Sequence, residues 1–308
     1  AASGGVSLAL SYLGEGRQRR RLRKSFAHYL GEEMIDQLLR NPAMLALGGE
    51  RRELSVLFSD IRGFTTLSER LTPLQLVAFL NTYLTPMTRA VLGTGGFLDK
   101  YIGDAVMAVF GAPVPSRRHA SQALECALRM HLELEKLQPL LQAEGVELKI
   151  GVGVNTGEMV AGNMGAEERF DYTVVGDSVN LASRLEGLTK GYGVFCLVGD
   201  AARRAAEPEF RFREIDLVQV KGKHEPVAIH ELLSGPQRTV AEYREPERFE
   251  RALAQWRAGE LEAAREGFAA FAALNPGDRV APLYLERIAD LNGVVPAGWN
   301  GVFVHTNK

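Results

Sequence analysis

Cysteine is scarce in this chain: 308 residues carry two, Cys126 and Cys196. They form no CxxC pair and no metal-ligand spacing, so they offer no disulfide framework and read as core thiols of a reducing compartment. The six histidines are scattered, which argues against a histidine-based zinc site. Charge of one sign is not in excess either. Thirty-six basic residues against 38 acidic ones leave a net charge of −2, too weak a positive field for broad nucleic-acid binding. Long apolar runs are missing as well, and Val6 to Leu13 is too short to span a bilayer. What is present is a 46% hydrophobic composition, suited to a packed core in one large domain or two small ones.

Leu54 to Thr65 holds the first candidate site. An apolar run ends at Asp60, Gly63 follows, and a helix begins. A strand that ends in a carboxylate and turns into a helix can hold a hard divalent cation at the carboxylate. It can also hold phosphate oxygens at the free N–H groups of the helix start. The plainer reading is a strand end whose Asp caps a helix. A second carboxylate then arrives downstream. Phe97–Ile102 and Ala105–Phe110 are apolar strands joined by Gly103-Asp104, a tight-hairpin signal. This predicts Asp104 at the tip, facing the end of the first strand. Two apolar strands that each deliver an Asp, with no His or Cys nearby, point to an oxygen-ligand site for Mg²⁺ or Mn²⁺. Further on, Asn180 and Arg184 lie four apart on a predicted helix and share a face. They read either as a surface polar pair or as a grip on a phosphoryl oxygen and a ribose. The turn Lys221-Gly222-Lys223 suits an anion or is simply solvated.

The chain divides into a basic tail (1–24), a helical transducer segment (25–49), a catalytic domain (50–234) and a helical extension (235–308). The tail sets Val6–Leu13 before Arg17, Arg19, Arg20, Arg21, Arg23 and Lys24. That pattern fits the cytoplasmic flank of a membrane helix and a disordered basic tail equally. The transducer pattern runs from Leu22 to Leu47. In the catalytic domain, Thr72-Pro73 reads as the start of a helix that Pro86 should kink. Leu148–Asn155 and Glu158–Gly162 read as strands with a turn at Thr156-Gly157. Gly151, Gly153 and Gly157 only loosely match a dinucleotide fingerprint, and no helix pattern follows them directly. The expected fold class is α+β: a ferredoxin-like βαββαβ core, from Leu54 to the Tyr172–Val175 strand, with a mainly antiparallel sheet and helices on one face. Glu247 to Leu291 reads as a single tetratricopeptide-like helix pair. One such pair cannot bury its own face, so it must dock on the catalytic domain, a second copy or a protein partner. Trp299 is an anchoring aromatic beyond it.

Three stretches together resemble a class III nucleotidyl cyclase catalytic domain over about Glu50 to Leu233. They are Phe58 to Thr65, Lys100 to Asp104 and Tyr172 to Arg184. The resemblance implies adenylyl cyclase activity on ATP, with two divalent ions, Mg²⁺ or Mn²⁺, per site. Asp60 and Asp104 would hold the ions, with the Ile61 carbonyl beside them. Asn180 and Arg184 would contact the ribose and the α-phosphate. Lys100 would read adenine, with Thr173 as the second base reader of a Thr-bearing bacterial subclass. Lys221 would contact the triphosphate, and Arg169, Gly63, Phe64 and Thr65 would also contact the substrate. It further implies a homodimer with two shared sites. The flanks are similar to bacterial membrane-anchored cyclases, which implies a cell-membrane location with a cytoplasmic catalytic domain.

The alternatives are a guanylyl cyclase, which Lys100 disfavours, and a catalytically silent nucleotide-binding or dimerising module. Degenerate copies would lack an Asp or the Arg, and here all four residues are present. A diguanylate cyclase is set aside by the turn Ile102-Gly103-Asp104-Ala105.

Overall fold

The computed structural model describes residues 46–142, 148–206, 208–219, 225–236 and 238–304. The basic tail, nearly all of the transducer segment and the Lys221 turn lie outside these residues. Among the described residues no helix is long and apolar enough to cross a membrane.

The first strand, β1 (Gly48–Ile61), is six residues longer at its start than the apolar run suggested. Its exposed half, Gly48 to Glu53, pairs with Asn163 to Glu158 of β4, so backbone pairing extends it where hydrophobicity does not. A short helix α1 (Phe64–Ser68) follows. Then comes α2 (Pro73–Leu92), opened by a reciprocal Thr72–Gln75 capping box with Pro73 in the first turn. It runs continuously across Pro86. The hairpin of β2 (Phe97–Ile102) and β3 (Ala105–Phe110) falls where its sequence placed it. Its turn needs Gly103, whose φ is 67°.

After α3 (His119–Gln142), the expected break at Thr156-Gly157 is absent, and β4 is one strand, Ile150–Ala166. Thr156 is buried and bonds the Ser55 hydroxyl of β1 at 2.5 Å, while Gly157 sits opposite Leu54 in unbroken register. The βαββαβ core therefore closes with β4. Its partner β5 (Arg169–Val175) is an added antiparallel strand. Next come α4 (Asp177–Tyr192), β6 (Cys196–Gly199), α5 (Asp200–Ala206), β7 (Arg211–Gln219), β8 (Val227–Gly235) and β9 (Arg238–Thr239). The extension adds α6 (Pro246–Ala258), α7 (Leu261–Leu274), α8 (Val280–Asp290) and β10 (Phe303–Val304). The sheet runs β10-β7-β8-β6-β4-β1-β3-β2, antiparallel except at β4–β6 and β10–β7.

Helices cover both faces of this sheet, not one. Residues of α2, α3 and α5 pack with Leu57, Val106, Phe110, Ile150 and Val152. On the other face lies α4, directly on β4. A Cβ at Gly151 or Gly153 would come within 3 Å of Thr189, Ala182 or Glu186 of that helix. The glycine spacing that loosely resembled a fingerprint is thus a seat for a closely packed helix.

The C-terminal extension has three helices and docks on the catalytic domain. Its Phe249, Trp256, Phe268 and Tyr284 share a cluster with Leu181, Leu185 and Tyr192 of α4 and Ile215 of β7. Trp299 anchors the final loop edge-on against Trp256, 4.7 Å between centroids. Two buried polar networks fix the contact. Arg287 pairs with Asp216 at 2.6 Å, and Tyr192 donates to the same carboxylate at 2.5 Å. Arg213 pairs with Glu231 at 2.7 Å and Asp278 at 2.8 Å. Removing one partner strands the other charge in a dry site. Arg287→Ala is therefore expected to destabilise the protein by about 3–5 kcal/mol, read as the shift in its urea-unfolding midpoint. A loss below about 1 kcal/mol, the scale of a surface ion pair, would show that the network does not hold the extension in place.

Candidate active site

The ladder between β1 and β3 sets Ser59 opposite Val106, so Asp60 and Asp104 arrive together at one end of the sheet. One backbone group joins them: the Ile61 N–H donates to Asp60 Oδ1 at 3.0 Å and to Asp104 Oδ2 at 3.1 Å. Burial pushes the Asp104 carboxyl up to about 7, and a hydrogen bond and negative charge from Asp60 add to the rise. A carboxyl that is both buried and set beside a second negative charge is harder to ionise.

The set fits a divalent cation. Its donors are oxygens, and a Mg²⁺ ion is commonly held by one or two carboxylates with substrate phosphates completing its shell. No cluster of three or more His, Cys, Asp or Glu side chains forms a metal cage among the described residues, so the remaining ligands would have to come from substrate and solvent.

A third carboxylate, Glu186 on α4, escaped the sequence reading. Burial pushes it up to about 7, with the nearby Asp60 charge adding to the rise and Arg62 opposing it. It faces β4 at Gly151, the residue paired with Asp60. The alternating glycines of β4 were the available signal, since they mark where α4 must approach. Arg62 donates to the Val194 carbonyl at 2.6 Å and so ties the end of β1 to the segment after α4.

Asn180 and Arg184 are both exposed on α4. Arg184 and Glu186 lie two residues apart, about 200° around the helix, so Arg184 leaves the side opposite the buried carboxylates. Gly63 and Thr65 are exposed at the start of α1, whereas Phe64 packs into the core.

Lys100 and Thr173 are brought together from distant strands. β5 hydrogen-bonds to the far half of β4, yet Tyr172 packs edge-on against Phe97 of β2 at 5.6 Å. The long β4 therefore carries β5 over the sheet to β2. There the Thr173 hydroxyl donates to Asp99 Oδ2 at 2.5 Å, and Lys100 Nζ lies 3.2 Å from Asp99 Oδ1. Arg169 is exposed at the opening of β5, opposite Ala166. It is four residues from Thr173, about 13 Å along the strand.

Residues 49–233 match the model of the adenylate and guanylate cyclase catalytic domain. The chain belongs to this family. Over 210 residues it is 34% identical to adenylate cyclase 1 of Rhizobium meliloti, covering 68% of this chain and 32% of that protein. Over 189 residues it is 41% identical to an adenylate cyclase of Anabaena cylindrica, covering 59% and 37%. The chain thus spans about a third of the length of these relatives. Among solved structures, the adenylyl cyclase CyaB from P. aeruginosa is similar at 36% identity and TM-score 0.58, with 62% of this chain and 98% of that one covered. The guanylyl cyclase Cya2 is similar at 35% identity and TM-score 0.59, covering 63% and 100%. A cyclase fold is common to both, so overall likeness does not separate the two nucleotides.

The carboxylate pair generates a pH prediction. A raised acid holds its proton more tightly in the folded chain than in the unfolded one, so cation-free stability should fall as pH rises from about 4 towards 7. A cation must displace that proton. Mg²⁺ or Mn²⁺ should therefore raise the melting temperature more at pH 8 than at pH 6, and Asp60→Asn should remove the difference. An equal shift in wild type and Asp60→Asn would place the cation elsewhere.

Proposed function

We propose that this cyclase domain converts ATP to 3′,5′-cyclic AMP and pyrophosphate, in a homodimer whose two sites are each shared between chains. The observation that carries the catalytic reading is the Asp60–Asp104 pair, held on one amide at the strand ends. Two bound divalent ions would lower the pKa of the ribose 3′-hydroxyl and neutralise the leaving pyrophosphate. Asp60, Asp104 and the Ile61 backbone would hold those ions.

The 3′-hydroxyl gives its proton to solvent and its oxygen forms a bond to the α-phosphorus; the bond from that phosphorus to the oxygen bridging the β-phosphate breaks, and pyrophosphate leaves with the electron pair. Arg184 supplies a fixed positive charge to the phosphoryl oxygens as they gain charge. Asn180, on the same helix face, orients the ribose. Lys100 and Thr173 face the base, which favours adenine over guanine. Gly63 and Thr65 at the start of α1 would contact the phosphates, with Arg169 and Lys221.

The two sides of α4 support sharing between chains. Its buried side carries Glu186 towards Asp60, and its exposed side carries Asn180 and Arg184 away from that pair. One chain then presents the carboxylates and its partner the Asn–Arg pair, and two-fold symmetry repeats the arrangement. Residues 25–49 and the basic tail would relay a signal to this dimer.

Separating the products of ATP and GTP incubations with Mg²⁺ or Mn²⁺ tests the activity and the base together. Arg184→Ala alone should lose roughly 10³–10⁵ in turnover, the range of a positioned arginine in phosphoryl transfer. Asp60→Ala should be equally dead. A mixed dimer collects both defects in one site and none in the other. Mixing the two dead proteins should therefore restore about a quarter of wild-type activity, because random pairing makes half the dimers mixed and each has one good site. A mixture that stays inactive while a tag pull-down shows subunit exchange would put each site within one chain.

A further inference from the structure

Asp99 lies where Lys100 and Thr173 meet, and its own geometry is unusual. In the β2–β3 ladder Leu98 faces Ala108 and Lys100 faces Met107, so Asp99 is the extra residue of a β-bulge. A regular strand would send residues 99 and 100 to opposite faces. The bulge instead lets Asp99 and Lys100 turn towards each other, consistent with their 3.2 Å ion pair. The Asp99 side chain is fully buried while that of Lys100 is 40% exposed, so the acid is internal and the lysine reaches outward. A buried carboxylate needs partners; here the Thr173 hydroxyl donates to Oδ2, while Oδ1 accepts no hydrogen bond and is matched by the Lys100 charge alone.

Building on the adenylyl cyclase reading, we infer that Asp99 is a positioning residue that sets the nucleotide preference by fixing the hydrogen-bond polarity of the Lys100–Thr173 pair. A threonine hydroxyl can donate or accept. With its proton committed to Asp99, Thr173 offers lone pairs alone. Lys100, an obligate donor, is held beside it on the same carboxylate. The pair is then one acceptor and one donor at fixed positions. Adenine presents the complement, an exocyclic N6 amine that donates and an N1 that accepts. Guanine presents the reverse, O6 accepting and N1–H donating. The fixed pair therefore leaves polar groups unmatched against guanine, which is the stronger route to discrimination.

The test is the ratio of kcat/KM for ATP to that for GTP, measured on the full chain. In Asp99→Asn the carboxylate charge is gone, and the amide can donate to Thr173 as well as accept from it, so the Thr173 hydroxyl is no longer fixed in one polarity. The ratio should fall by about tenfold or more, the scale of one hydrogen bond, while kcat at saturating ATP changes far less. Thr173→Val should give a similar fall, and the double variant should fall no further than either single one. Folded Asp99→Asn with the wild-type ratio, or single losses that simply add in the double variant, overturns the inference and leaves the adenylyl cyclase reading standing. A wild-type chain that turns over GTP as well as ATP, or neither, overturns the reading itself and the inference with it. Should Asp99→Asn not fold, inosine triphosphate on the wild type decides, since its base carries O6 and N1–H without the 2-amino group. Turnover as poor as with GTP supports the polarity argument; turnover equal to that with ATP overturns it.

Discussion

The long antiparallel ladder between β1 and β4 is the constraint on which the other features depend. Fourteen residues of β1 pair with β4 in continuous register. The buried end of the ladder sets Asp60 against Gly151, where a side chain would collide with α4. The other end carries β4 beyond β1 far enough to fold β5 over to β2. One pairing thus places the carboxylates, the helix bearing Asn180 and Arg184, and the Thr173–Asp99–Lys100 group. Register is a strong determinant here because both faces of the sheet are covered, and a slip of one residue would reverse every side chain.

Charge is distributed around this frame in two different ways. At the candidate site, like charges are crowded, with Arg62 the opposing charge beside Glu186. Asp104 and Glu186 are both pushed up by burial and by the neighbouring Asp60, a tension that a divalent cation would relieve. Where the C-terminal helices dock, opposite charges are buried in matched sets. Arg287 meets Asp216, and Arg213 meets Glu231 and Asp278. The matched sets act on the site indirectly, since Tyr192, the last residue of α4, shares the Asp216 carboxylate with Arg287. The extension therefore braces the far end of the helix that presents Asn180 and Arg184.

Much of this was legible in the chain because it rests on local rules. The hairpin turn at Gly103, the Thr72–Pro73 helix start and the apolar strand ending at Asp60 need information from a few neighbouring residues only. The sequence by itself determined the α+β class and the order of the core elements, and it singled out the carboxylate and Asn–Arg pairs as candidates. Tertiary structure alone decided that Thr156-Gly157 is strand and not turn, because pairing with β1 outweighs local turn preference. It also decided that α4 lies on the sheet's second face, that the extension docks through three helices, that Glu186 lies near Asp60, and that Asp99 joins Lys100 and Thr173. Asp99 reaches Thr173 across 74 positions of sequence, and Glu186 approaches Asp60 only through a helix seated on glycines. Such contacts depend on register and on close approach between distant elements, and neither leaves a periodic signal in the residues that make them.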